Sequence, residues 1–237
     1  MVEREAYVHD LLRRNEVPVA PLLGWGRAEG PGGHSWMLFE RVEHDDATEL
    51  TAASSRALVE VLRRIHEVRA TPQMKAIIGT ETTPCAMAAR VEARVRALAD
   101  RVGVTDSETI IGASLEILRD REATVEPRLT HMDMRVENLC FRGGELVAVL
   151  DLSNCTTGDP AADLGRMSAY GSLTSPLLAA YAGDTPLDLV LVAAYAVDTY
   201  ALLGLLKADE FADQNLVDRG VGGLCECLAV FRAHGLA

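Results

Sequence analysis

Three side chains near the middle of the chain have the types and the order that phosphoryl transfer requires. Asp133 and Asn138 lie in one short segment, and Asp151 follows at the end of the next apolar stretch. Transfer of a phosphoryl group from ATP to a hydroxyl needs a carboxylate that orients the hydroxyl, and oxygen ligands for magnesium. We therefore predict Asp133 as the catalytic carboxylate, and Asn138 and Asp151 as the metal ligands.

The residues between Asn138 and Asp151 predict a β-hairpin. Residues 139–141 and 146–150 have the composition of strands, and residues 142–145 contain the Gly-Gly pair of a turn. Because a hairpin returns the chain to its starting point, it would place Asp151 beside Asn138. Groups that are separated in sequence would then face one site.

The same residues form a known pattern. His131, Asp133 and Asn138 give His-x-Asp-x-x-x-x-Asn, and the strand that follows ends in Asp151. This order matches the catalytic and metal-binding loops of protein-kinase-like enzymes. Within that superfamily the chain resembles the aminoglycoside phosphotransferase and choline kinase family of small-molecule kinases.

Two further segments support the resemblance. Residues 158–164 are similar to the family's Gly-Asp-Pro-x-x-Asp-Leu segment, and residues 64–68 to the Leu-His motif that ends its first large-lobe helix. The resemblance implies an α+β, protein-kinase-like fold. Residues 1–43 would form a reduced N-terminal lobe of one helix and a short sheet, with the hinge. Residues 44–237 would form a mostly helical C-terminal lobe that contains the catalytic hairpin.

The resemblance also implies roles for residues outside the catalytic pattern. His131 would brace the catalytic loop, with a general-base role as the alternative. Asp163 would be the buried aspartate that accepts backbone N–H bonds from that loop, which favours its charged form. Glu40 and Val42 would lie in the hinge that binds adenine through its backbone, and Glu5 would be the small-lobe glutamate of the nucleotide site.

The resemblance exposes a gap at the nucleotide site. Kinases of this group begin with a glycine-rich hairpin and a lysine-bearing strand that hold the phosphates, and this sequence contains neither. Its only lysines are Lys75 and Lys207, both beyond the small lobe, so Glu5 has no evident lysine partner. The missing strands would lie upstream of Met1, or another chain would complete the site.

We predict an ATP- and magnesium-dependent phosphotransferase that acts on a hydroxyl of a small molecule, with ATP (or GTP) as co-substrate. Two alternatives stay open. One is a non-catalytic, kinase-like binding or regulatory protein. The other is a partner-dependent kinase that acts on a peptide in natural-product biosynthesis. The acceptor also stays open among aminoglycosides, choline, sugars, macrolides and peptides.

Composition limits the partners. The formal net charge of −12 disfavours nucleic acid and would suit a cationic substrate.

Five cysteines without a disulfide-type spacing predict reduced thiols and a cytoplasmic location. Cys225 and Cys227 lack the usual zinc spacing and are expected to be buried thiols. The apolar tract 187–206 contains two aspartates, so it predicts a buried helix rather than a membrane span.

Hydrophobic periodicity predicts the elements that position these residues. In the small lobe these are a helix ending near Asn15 and strands over 22–27 and 35–42, separated by a turn at 30–33. In the large lobe they are helices over 51–69 and around 91–102, a third helix opened by the capping-box pattern 105–108, and mostly helical structure over 161–235.

Overall fold

The computed structural model describes residues 2–27, 33–46, 49–183, 187–210 and 214–237, without the side chains of 207–210. Most of the turn predicted at 30–33 therefore lies outside the described residues. Met1 and the side chain of Lys207 lie outside them as well.

A helix and a two-stranded sheet form the N-terminal part. Helix α1 (Val2–Arg14) buries Val8 and Leu12, and the antiparallel strands β1 (Leu22–Arg27) and β2 (Ser35–Phe39) follow it. The second strand ends at Phe39 instead of at Val42, because residues 40–42 leave the sheet and line a cavity. The predicted helix and the predicted first strand are confirmed.

Helices dominate the rest of the chain, as predicted. Helix α2 (Ala52–Glu67) begins with a capping box in which the Thr51 and Ser54 side chains bond each other's backbone N–H groups. The other helices are α3 (Pro72–Ile78), α4 (Pro84–Val102), α5 (Ser107–Glu122), α6 (Ala161–Ala169), α7 (Ser175–Ala182), α8 (Leu189–Glu210) and α9 (Gln214–Ala233).

Two short antiparallel strand pairs hold the predicted catalytic segment, residues 131–138, which forms the catalytic loop of the prediction. Strand β3 (Arg128–Thr130) pairs with β6 (Thr156–Gly158), and β4 (Leu139–Arg142) pairs with β5 (Glu145–Val149). The second pair is the hairpin predicted from the sequence. The catalytic segment leaves β3 and enters β4, so both ends of that loop are fixed by strand pairing.

The larger hydrophobic core lies among α4, α5, α8 and α9. Helices α8 and α9 approach closely, because a Cβ at Gly220 would lie 2.8 Å from the Gly204 backbone nitrogen. Among the described residues, one stretch, Leu189–Leu206, is long and apolar enough to cross a membrane, and 72% of it is buried. That burial agrees with the predicted core helix.

Two local predictions are wrong. The residues before α5 form no capping box: Asp106 has a positive φ of 60° and makes no side-chain cap bond, and it accepts a bond from Arg232 instead. Of the cysteine pair on α9, Cys227 is buried but Cys225 is exposed. Residues two apart on a helix point in different directions, so both thiols cannot face the core.

Candidate active site

The loop between β3 and β4 holds Asp133 and Asn138 against each other. The Asn138 side-chain amide donates to the Asp133 carboxylate Oδ2 at 2.9 Å and to its main-chain oxygen at 2.9 Å. Asp133 is buried, although it is an acid in a loop. Its carboxylate is therefore held in one orientation by its neighbours and not by solvent.

Two arginines that the sequence prediction left without a role approach the same carboxylate. Arg135 Nε donates to Asp133 Oδ1 at 3.0 Å, and Arg166 Nη2 lies 3.9 Å from that oxygen. Both guanidinium groups lie over the Tyr170 ring, 5.3 and 5.2 Å from its centroid. Arg135 stands two residues after Asp133, so its proximity could have been inferred from the sequence. The approach of Arg166 depends on tertiary structure.

Asp163 ties α6 to the start of the catalytic loop. Its carboxylate accepts the backbone N–H of His131 at 2.9 Å and that of Met132 at 2.5 Å, and it lies 2.9 Å from His66 Nε2. Burial opposes its ionisation, but the bonds and charges of His66 and His131 outweigh that and lower the pKa of Asp163. These bonds hold Met132 at a positive φ of 65°, a conformation that a non-glycine residue rarely adopts.

His131 is buried directly beside the catalytic loop. Its Nδ1 accepts the backbone N–H of Asp133 at 3.1 Å, so the neutral ring carries its proton on Nε2. Nε2 is buried and makes no well-formed hydrogen bond among the described residues, although the Leu150 backbone acts on the ring as a weak acceptor. Burial lowers the pKa of His131 despite the nearby charges of Asp163 and Asp133. Because Nδ1 is occupied by the loop backbone, the ring supports the loop and is not directed at a substrate proton.

The hairpin β4–β5 returns the chain to the catalytic loop. The Leu150 N–H donates to the Asn138 carbonyl at 2.9 Å, which places the backbone of Asp151 next to Asn138. Asp151 is exposed at a positive φ of 53°, and Ser153 Oγ donates to its Oδ1 at 2.5 Å. The predicted catalytic residue Asp133 and the predicted metal ligands Asn138 and Asp151 therefore lie close together, where the hairpin returns to the loop.

The free oxygen atoms suit magnesium. Asn138 uses its amide nitrogen on Asp133, which leaves the amide oxygen free, and Asp151 Oδ2 has no hydrogen-bond partner among the described residues. No cluster of three or more His, Cys, Asp or Glu side chains occurs in the described part. Magnesium commonly takes one or two protein oxygens and completes its shell with phosphates and water. The free oxygens of Asn138 and Asp151 fit this type of coordination.

A cavity of about 460 Å³, the interlobe cavity, lies between the N-terminal elements and the β4–β5 hairpin with the following Asp151. Glu5, Glu40, Val42 and Asp151 line it together. The pKa of Glu5 is raised, first by burial and then by the negative charge of Asp151. Glu5 makes no ion pair within the described ranges, and no lysine is among the residues that line the cavity. The predicted hinge residues Glu40 and Val42 and the predicted metal ligand Asp151 therefore line the same cavity.

Comparison with known proteins identifies the architecture. The model of the phosphotransferase enzyme family APH matches residues 2–198. A search of curated protein sequences gave no match.

Three solved structures illustrate the similarity. A thermostable mutant of aminoglycoside phosphotransferase APH(4)-Ia, in ternary complex with ADP and hygromycin B, superposes with a TM-score of 0.66 at 18% identity. The alignment covers 97% of this chain and 81% of that chain. The gentamicin–APH(2")-IIa complex gives 0.60 at 16% identity, covering 94% and 79%. A choline/ethanolamine kinase family protein from Mesorhizobium loti gives 0.66 at 16%, covering 97% and 79%.

The predicted α+β, protein-kinase-like fold is thereby confirmed, and so is the predicted family. Identities this low establish a common fold and do not transfer a substrate. The match over residues 2–198 shows that the chain belongs to the phosphotransferase enzyme family.

Proposed function

We propose that the protein transfers a phosphoryl group from ATP (or GTP) to a hydroxyl of a small molecule in the presence of magnesium. The observation that carries the proposal is a chain of contacts: the Asn138 amide bonds the Asp133 carboxylate, and the Leu150 N–H bonds the Asn138 carbonyl. Together they bring Asp151, which lines the interlobe cavity, next to Asn138. Residues 1–43 would be the small lobe and hinge, and residues 44–237 the large lobe. A cytoplasmic location is part of the same proposal.

The proposal gives each group a task that is compatible with its contacts. Asp133 orients the acceptor hydroxyl and receives its proton, while Asn138 and Arg135 hold the carboxylate in place. Asn138 and Asp151 supply oxygens to magnesium, which when bound neutralises charge on the phosphoryl group. Glu40 and Val42 present the hinge backbone to the base, and Glu5 faces the same cavity. His131 and Asp163 stabilise the loop by accepting hydrogen bonds from its backbone N–H groups.

A neighbouring structure supports the two substrates. That aminoglycoside phosphotransferase was crystallised with ADP and hygromycin B, a nucleotide and a small molecule. The shared fold makes a nucleotide and a small acceptor the reasonable partners for this chain.

Calorimetry with AMP-PNP tests the proposal. We expect saturable binding that needs magnesium and is lost in Asp151→Asn, because that carboxylate is a proposed metal ligand. Asp10→Asn is the matched control and should bind as the wild type does, because this half-buried acid on α1 pairs with Arg13 and Arg14 and does not line the cavity. Absence of binding at millimolar nucleotide would contradict an autonomous kinase. Binding without transfer to any hydroxyl compound would favour the non-catalytic alternative.

One observation favours a second candidate, a kinase whose nucleotide site is completed by further strands. The sheet β1–β2 exposes the large apolar side chains of Leu23, Trp25, Trp36 and Leu38. Exposed apolar surface of this kind is typical of an interface. A second protein, or a longer form of the chain, would then raise the affinity for AMP-PNP, which titration calorimetry of the mixture would measure.

A further inference from the structure

A second cavity, of about 220 Å³, lies beside the catalytic loop and contains three arginines. Arg90 and Arg94 reach it from α4, and Arg166 reaches it from α6. Met132, the residue before Asp133, forms part of its wall. None of the residues that line this cavity lines the interlobe cavity, so the two spaces are distinct.

Among the described residues, the Asp198 carboxylate is the one that accepts hydrogen bonds from the arginines of this cavity. Asp198 of α8 is fully buried and accepts from Arg94 Nη1 at 2.8 Å and from Arg90 Nη2 at 3.2 Å. Glu81, the one acid among the lining residues, is exposed and makes no ion pair in the described part of the chain. Arg166 comes no closer than 3.9 Å to a carboxylate oxygen, that of Asp133.

The arginines also retain unused hydrogen-bonding capacity. Among the described residues, the Nε atoms of Arg90 and Arg166 are buried without a partner. Burial lowers the pKa of Arg94, and the charges of Arg90 and Arg166 add to this effect while Asp198 opposes it. Buried donors without partners are uncommon in folded proteins and call for a specific explanation.

A purely structural role explains only part of this arrangement. One arginine suffices to neutralise Asp198 and to tie α4 to α8, and Arg94 contacts both oxygens of that carboxylate. Arg90 adds only a longer bond of 3.2 Å to the same carboxylate, and Arg166 reaches Asp133 only at 3.9 Å, so these two guanidinium groups add desolvation cost with weaker compensation. An anion would use them, because guanidinium groups bind carboxylate and phosphate through several N–H donors at once.

We propose that the arginine cavity binds an anionic group, a carboxylate or a phosphate, of the acceptor whose hydroxyl is phosphorylated. This inference rests on the proposed phosphotransferase function. An acceptor held there would lie next to the loop that carries Asp133, on a side that the nucleotide cavity does not use. The net charge of −12 suggested a cationic substrate, but the local charge at this cavity has the opposite sign.

Binding of inorganic phosphate, followed by calorimetry without magnesium or nucleotide, tests the cavity directly. We expect one saturable site, weakened about tenfold or more by Arg90→Gln and by Arg166→Gln, because each removes a donor group. Arg96→Gln is the matched control, since Arg96 lies on α4 but pairs with Glu92 and Glu108 on its exposed face. That variant should bind phosphate as the wild type does.

These variants leave Arg94 on Asp198, so the buried carboxylate keeps a partner and the fold should persist. Thermal unfolding verifies this, and Arg90→Lys, which keeps the charge, should recover part of the affinity. Absence of saturable phosphate binding by the wild type would overturn the proposal. Equal loss in Arg96→Gln, or binding that requires magnesium and Asp151, would overturn it too, because the phosphate would then bind elsewhere.

Matched acceptors test the link to catalysis. With ATP and magnesium, glycerate or glycerol phosphate should be phosphorylated at least tenfold more efficiently than glycerol or choline, a difference that Arg166→Gln should remove. Preference for choline would overturn the proposal. The two proposals fail separately: a protein that binds AMP-PNP but not phosphate loses only the arginine cavity, and one that binds phosphate but not AMP-PNP loses the kinase assignment.

Discussion

His66 Nε2 lies 2.9 Å from Asp163 Oδ2, although the two residues are 97 positions apart in the chain. The other ring nitrogen of His66 lies 2.7 Å from the Tyr181 hydroxyl, so the imidazole is held at both ends. The same Asp163 carboxylate accepts the N–H groups of His131 and Met132. The end of α2 and the beginning of α6 therefore fix the catalytic loop through one buried acid.

Replacing Asp163 should lower the stability of the folded protein. Asp163→Asn directs an amide NH₂ at N–H donors, and we expect it to lower the free energy of unfolding by about 3–5 kcal/mol. Urea unfolding measures the change. Asp100→Asn, at an exposed position on α4, is the control and should unfold as the wild type does. A loss no larger than in this control would contradict the bracing role.

The same acid predicts how stability depends on pH. Its pKa is lower in the folded protein than in the unfolded chain, so its stabilisation is present above about pH 4 and is lost as the pH falls through the folded pKa. Wild-type stability should therefore drop in acid, and Asp163→Asn should show a smaller drop. Urea unfolding between neutral and acidic pH compares the two slopes.

His131 predicts a second loss of stability, in a higher pH range. Burial lowers its pKa, so below about pH 6.5 the unfolded chain takes up a proton that the folded protein does not. The unfolding free energy should therefore fall as the pH decreases from 6.5 towards the folded pKa. His131→Gln should reduce this slope, whereas the exposed His234→Gln should retain it. Identical slopes in both variants would disprove the neutral, buried state of His131.

The sequence could predict that Asp133, Asn138 and Asp151 lie close together, because the contacts that bring them together are local. Asp133 and Asn138 share one short loop, and the Gly143–Gly144 turn fixes the hairpin that returns to Asp151. The capping box expected over residues 105–108 failed for the opposite reason. The Glu108 carboxylate pairs with Arg96 of α4, and the Asp106 carboxylate pairs with Arg232 of α9, so tertiary contacts outweighed the local pattern.

The arginine cavity could not have been predicted in this way. Arg90, Arg166 and Asp198 belong to three helices, and no spacing in the sequence indicates that they meet. Net charge does not indicate such a cavity either, because it sums over the whole surface, whereas a ligand responds to the few charges that face it.

Asp133→Asn should separate catalysis from binding. Loss of this proposed catalytic carboxylate should lower kcat by about 10²- to 10⁴-fold. Affinity for AMP-PNP should stay within a factor of two, because Asp133 does not line the interlobe cavity. Steady-state assays and calorimetry measure the two quantities, with Asp10→Asn as the control. Equal losses of kcat and nucleotide affinity would instead indicate a disordered loop.

Gly158 begins the Gly-Asp-Pro segment, and the structure shows why a side chain does not fit there. A Cβ at this position would lie 2.2 Å from the backbone carbonyl carbon of Thr82. The two segments are held together by a bridge and by the Asp159 N–H, which donates to the Thr82 oxygen at 3.0 Å. Neither backbone can move without breaking these bonds.

We therefore expect Gly158→Ala to lower the free energy of unfolding by about 1–3 kcal/mol, as overpacking does in other interiors. Gly112→Ala provides the opposite case. Gly112 is exposed within α5 and a Cβ there would meet nothing within 4 Å, so alanine should stabilise the helix by about 0.5–1 kcal/mol. Urea unfolding of both variants measures the change in the free energy of unfolding, which should be a decrease for Gly158→Ala and an increase for Gly112→Ala. If Gly158→Ala is as stable as Gly112→Ala, then the close approach of Thr82 does not restrict this position.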